Sequence, residues 1–169
     1  AVTGGSRDVS DWIKVRITSV EMEHAAQRER AYLLPHEPLT MRVRFEAVER
    51  LDAVVFGLAI YDIEGRPLHG VNTEILGTRI DLPAGPGEAR FDIASVPFLD
   101  GTYLVTIGVH DHDGGVVYDW HEQQHTFEVM NPRRVGGMVE LAVSVEVTHE
   151  SSGDGAAGER GAPSARGST

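Results

Sequence analysis

The chain has 169 residues, 41% of them hydrophobic, with a formal charge of −11 and a sequence pI of about 5.1. That is the size of one domain with one core, and the net negative charge repels phosphate backbones, which argues against nucleic acid and suits a neutral or sugar-like ligand. The chain has no cysteine, so disulfides, zinc–thiolate sites and thiol chemistry are excluded, and no run of about eighteen apolar residues offers a membrane span.

Residues 1–11, AVTGGSRDVSD, are small and polar and read as a linker. The start at Ala1 lacks a basic region followed by an apolar one, so the chain reads as an excised domain with no signal peptide. Alternation then begins. Ile13, Val15 and Ile17 alternate with Trp12, Lys14, Arg16 and Thr18. The stretch 23–33, EHAAQRERAYL, is helix-friendly and reads as a loop with a helical turn. Leu39, Met41, Val43, Phe45 and Ala47 share one face of the next run, and Val54, Phe56, Leu58 and Ile60 share one face of the run after it. Phe91 and Ile93 follow, then Tyr103, Val105, Ile107 and Val109, then Phe127 and Val129. The last run places Val139, Leu141, Val143, Val145 and Val147 on one side. Period two with one apolar face marks half-buried antiparallel strands. Turn signals separate the runs: IEGRP at 63–67, PAGPG at 83–87, FLDG at 98–101, DGG at 113–115 and NPRRVGG at 131–137. About eight to nine strands without interleaved helices predict an all-β antiparallel sandwich over 12–147. From 148 to 169 the only apolar residues are alanines among glycines and serines, and that tail is expected to be disordered.

The stretch GVHDHDGGVVYDWHEQQH, 108–125, gathers four of the chain's eight histidines. Asp113-Gly114-Gly115 reads as a hairpin turn. His110 and His112 fall on one side by the period-two rule and could share a metal if His121, His125 or Glu122 supplied a third ligand. The competing reading, solvated turn residues, is preferred. A cupin glutamate is missing from its place after the His-x-His pair, and Asp111, Asp113 and Asp119 lack the spacing of a calcium loop. Nucleophile-elbow, P-loop and dinucleotide-binding motifs are absent. No metal, no cofactor and no catalytic residue is assigned.

The outward faces are more informative. One reads Val55, Gly57, Ala59, Tyr61; the other reads Leu104, Thr106, Gly108, His110. Small residues flanked by an aromatic ring and a histidine make a shallow trough. Sugars bind such surfaces by stacking a C–H face on a ring and pairing hydroxyls with polar groups. The candidate glycan-binding residues are Tyr61, Asn72, Thr73, Thr106, His110 and Trp120.

The strand–turn–strand stretch FGLAIYDIEGRPLHGVNT, the run LDGTYLVTIGV before a late F-E-V, the opening IKVRITSVEM and the closing MVELAVSVEV together resemble the carboxy-terminal domain of Wzt proteins over about 12–147. Those proteins are ATP-binding subunits of ABC transporters that export O-antigen and related polysaccharides. The resemblance implies an immunoglobulin-like β-sandwich that binds the finished polysaccharide, often near its non-reducing end, and recruits it for export. It implies cytoplasmic work at the inner face of the plasma membrane. It further implies a membrane subunit reached through an ATPase domain that these residues, lacking a Walker A motif, do not contain. It also implies a homodimer; family members can form one by exchanging a terminal strand, for which the 131–137 connection has the reach, and the sequence leaves open whether this chain does. Ligand contacts in the family follow no fixed motif, so the trough stands on alternation alone, with the loop 23–36, carrying Tyr32 and His36, as a second rim.

Two other functions compete with a non-catalytic glycan-binding module. One is a structural dimerisation or adhesion module with no small ligand. The other is a metal-dependent enzyme using His110, His112 and His121 or His125.

Overall fold

The computed structural model describes residues 13–148. Eight strands follow one another: β1 (Val15–Glu23), β2 (Leu39–Ala47), β3 (Leu51–Tyr61), β4 (Pro67–Asn72), β5 (Ile80–Leu82), β6 (Gly85–Ile93), β7 (Gly101–His110) and β8 (Val117–Val129). Every pairing among them is antiparallel. One sheet is ordered β1-β2-β6 and the other β4-β3-β7-β8, with β5 pairing the start of β3. Among the described residues there is no helix, and 24–30 forms turns that include one helical turn, from Arg30 N–H to the Ala26 carbonyl.

The layers form because each strand is apolar on one side. In β2, Leu39, Met41, Val43, Phe45 and Ala47 are buried while the residues between them face out. In β7 the apolar set turned to the core is Tyr103, Val105, Ile107 and Val109. These faces meet in one core, where Phe45 and Phe56 bring the two sheets together at 5.0 Å between ring centroids. A second stack of Phe98, Tyr103 and Phe127 fills one end, and the Tyr103 hydroxyl donates to the Leu99 carbonyl at 2.7 Å. At the turn after β3, the buried Asp62 carboxylate accepts from the backbone N–H groups of Glu64 and Arg66. Gly65, at a φ of 81°, supplies the left-handed position there.

Alternation identifies the long strands and misses two short ones. In β4, Leu68 and Val71 are three apart with Gly70 between, so no period-two face shows. β5 has only three residues. The expected last strand also differs. Val139 makes an isolated bridge with Phe98, and 140–148 has no ladder; Val143 and Val145 are 84% and 87% exposed. Glu140 N–H donates to the Pro97 carbonyl, but Pro97 has no N–H to return the bond, and Val96 turns its N–H and carbonyl to Glu37 and His36. The linker expected at 1–11 lies outside the described residues, as does all of the expected tail beyond 148.

The two sides of the sandwich differ. On one side β1 and β8 approach, and Ile17 N–H donates to Asp119 Oδ2 at 2.7 Å across the layers. On the other side a groove of about 630 Å³ opens between β6 and β4. Its walls include Leu58, Ile60, Phe91, Ile93 and Phe98, with Val139 at the rim.

Candidate functional site

One row crosses the outer face of the larger sheet: Asn72 on β4 pairs Gly57 on β3, Gly57 pairs Gly108 on β7, and Gly108 pairs Trp120 on β8. Two side-chain-free positions lie between an amide and an indole. A second row runs Gly70, Ala59, Thr106. The result is a trough of about 250 Å³ with Asn72 and Ile75 on one flank and Trp120 and His110 on the other. Gly108 is required by contact: a Cβ there would stand 2.3 Å from Trp120 Cζ3. The indole rests on bare backbone and still exposes 47% of its surface. Ring faces held this way can stack on the C–H face of a sugar.

The polar groups have fixed roles. His110 Nδ1 lies 2.6 Å from the Asp111 carbonyl, which can only accept, so Nδ1 carries the hydrogen and neutral His110 keeps Nε2 as an acceptor. Asn72 Oδ1 accepts from Ile75 N–H, which holds the turn after β4 and leaves the Asn72 amide hydrogens uncommitted by that bond. Thr106 is only 1% exposed, and its hydroxyl oxygen accepts from Gln123 N–H at 2.8 Å. Among the described residues, no Lys, Arg, Asp or Glu lines the trough.

Asn72, Thr106, His110 and Trp120 come together in this trough. Tyr61 shares the face but sits two residues further along β3, paired with Leu104, and does not line it. Thr73 is tied to β3, its hydroxyl accepting from Phe56 N–H and its own N–H donating to the Phe56 carbonyl. Alternation overlooked Ile75, Gly70 and Val71, because it did not show β4. The signal for that strand was the strand–turn–strand stretch FGLAIYDIEGRPLHGVNT, which ends in the turn-forming Asn72-Thr73. His112 leaves the strand and pairs Glu74 at 2.8 Å, pinning the β7–β8 hairpin to the turn after β4. Among the described residues, no three His, Asp or Glu form a group that could hold a metal ion. No described helix is long and apolar enough to cross a membrane.

The Wzt C-terminal domain family model matches residues 13–141. Among solved structures, the crystal structure of the C-terminal domain of Wzt superposes with a TM-score of 0.72 at 18% identity, covering 80% of this chain and 84% of that one. A β-D-mannosidase from Dictyoglomus thermophilum is similar at a TM-score of 0.51 and 17% identity, over 70% of this chain and 14% of the enzyme. A β-glucuronidase from Bacteroides uniformis is similar at 0.50 and 14% identity, over 68% of this chain and 14% of the enzyme. No curated protein matches the chain.

Proposed function

Because the chain belongs to the Wzt C-terminal domain family, a domain of polysaccharide ABC transporters, we propose that it is the non-catalytic module that recognises the glycan cargo. The observation that carries this reading is the Asn72–Gly57–Gly108–Trp120 row, which holds an exposed ring beside hydrogen-bonding groups over a floor of backbone. A trough of about 250 Å³ has room for a sugar unit or two, so the glycan is read locally; reading near its non-reducing end is what the family resemblance implies. Among the described residues the lining has no Lys, Arg, Asp or Glu, which favours a neutral sugar. The domain performs no chemistry on it. In the transporter, an ATPase domain outside these 169 residues connects it to a membrane subunit, at the cytoplasmic face of the membrane.

Calorimetry with the surface polysaccharide purified from the strain that encodes the chain tests the trough. Trp120→Ala should weaken binding by about 0.5–1.5 kcal/mol, the value of one aromatic stacking contact, with Asn72→Ala weakening it further. Wild-type affinity in both variants would remove the trough from the binding site. A larger loss in Tyr61→Ala than in Trp120→Ala would move the site along the sheet toward the turn after β3.

A specific observation also supports a dimer. Leu141, Val143, Val145 and Val147 leave their apolar sides uncovered, and the groove of about 630 Å³ lies beside Val139, where that segment departs. Two copies that exchange 138–147 would cover both surfaces at once. A dimerisation module without a ligand shares this feature; an empty glycan titration alongside a tight dimer would select it.

A further inference from the structure

His121 and His125 lie on the inner face of β8, opposite Ile107 and Val105. Four residues apart in a regular strand they would be well over 10 Å from each other. Here the ladder slips between Val105 and Ile107, and Gln123 takes a φ of 49°. This bulge folds the strand back, so the two rings stack at 5.3 Å between centroids, with His121 Nδ1 3.1 Å from His125 Nε2. A contact of that kind needs one nitrogen to donate and the other to accept. It stands with both rings neutral or with one ring charged, but not with both charged.

The same bulge shapes the trough on the opposite face. Its apex residue, Gln123, donates its N–H to the buried Thr106 hydroxyl in the floor, and Trp120 is the residue before His121. Resting on the glycan reading above, we propose that the His121–His125 pair is a proton-sensitive latch: it closes the β8 bulge while at most one of the two rings is charged, and protonation of both opens the bulge and disassembles the trough.

The surroundings suit this role. His121 Nε2 lies 3.7 Å from Asp119 Oδ2, a counter-charge within reach of that ring. That oxygen is already held by Ile17 N–H from β1. On the inner side, β7 presents Val105 and Ile107, and β1 presents Ile17, Val20 and Met22, none of which titrates. The loop that docks on β8 at Val129 carries His24 and the Arg30–Glu37 ion pair. Burial, and then the charge of His121, hold His125 below the ordinary imidazole value of 6.5. Neutral His125 therefore belongs to the closed bulge. As pH falls below 6.5, the opened chain takes up the proton before the closed one does, and the closed form loses stability until His125 itself is protonated.

Nuclear magnetic resonance of the full chain without ligand, titrated from about pH 7.5 to about pH 5, tests the latch in the range where imidazoles change charge. The Gln123 amide and the Trp120 indole N–H should shift together, with the midpoint of the His125 ring, and both should stay still in His125→Gln. His121→Asn is the second variant and should flatten the same two curves. Gln123 and Trp120 signals that stand still while His125 titrates, or that move equally in the variants, overturn the latch. The purified polysaccharide is then titrated at both ends of the range, where severalfold weaker binding at the acidic end is expected. Equal affinity at both ends would also overturn the latch as a control on binding. Absence of binding at either pH while the ligand-free shifts behave as described would count against the glycan reading and leave the latch standing.

Discussion

Gly108 lies under the ring of Trp120, and the space where its side chain would be is taken by that indole. Gly108→Val should lift the ring off the sheet without unfolding the domain, since Trp120 is half exposed and free to swing outward. Polysaccharide affinity should fall at least as far as in Trp120→Ala, about 0.5–1.5 kcal/mol, while the far-ultraviolet circular dichroism spectrum stays unchanged; calorimetry beside that spectrum checks it. This part of the site is legible in the sequence. Gly57, Gly108, Thr106 and His110 fall on outward positions by simple alternation. Trp120 is not assigned by the same rule to a place over Gly108, because that depends on how β8 registers against β7. The meeting of His121 and His125 is less legible still. Counting by twos keeps them on one face but far apart, and only a left-handed Gln123 brings them together, a conformation that glutamine does not announce.

At the level of the strand, β8 does two jobs along one inner face. Phe127 and Val129 are core, while Asp119, His121 and His125 form a polar edge toward β1. The irregularity of β1 between Ile17 and Ser19 belongs to this arrangement, because Ile17 N–H turns to Asp119 rather than running on in the ladder. Asp119→Ala leaves that N–H without its acceptor and should cost about 1–3 kcal/mol of stability. Urea denaturation should show a lower midpoint with an unchanged slope; a wild-type midpoint would mean that the seam contributes nothing. Strands with strict alternation, β2 above all, are predictable because every second side chain enters the same core. Strands β4 and β5 are not, since a short strand beside a glycine has too few apolar residues to display a period. The failed strand at 140–147 has the reverse lesson. Its pattern is as clean as that of β2, but a pattern records an apolar face and not whether a free edge lies within reach.

For the whole molecule, the closed β1–β8 side and the open β4–β6 side make the sandwich asymmetric, and the uncovered residues 141–147 follow directly on Val139 beside the open side. If two copies cover each other there, the chain should run as a dimer in light scattering, and a version ending at Gly137 should run as a monomer. The shortened chain should also unfold at a lower temperature, because the walls of the groove then stay wet. A dimer that survives the deletion would place the contact elsewhere. The sequence pointed to the layers and to the family; the groove depends on the distance between two strands that lie far apart in the chain, which no local pattern encodes.

The floor beneath the proposed sugar is main chain, while the groups that would discriminate between sugars stand on its two margins, at 72 and 75 on one side and 110 and 120 on the other. None of these four side chains belongs to the hydrophobic core. Swapping them should therefore change what the domain prefers at little expense to folding, so one scaffold could be retargeted from one cargo to another by editing its banks and leaving its bed alone.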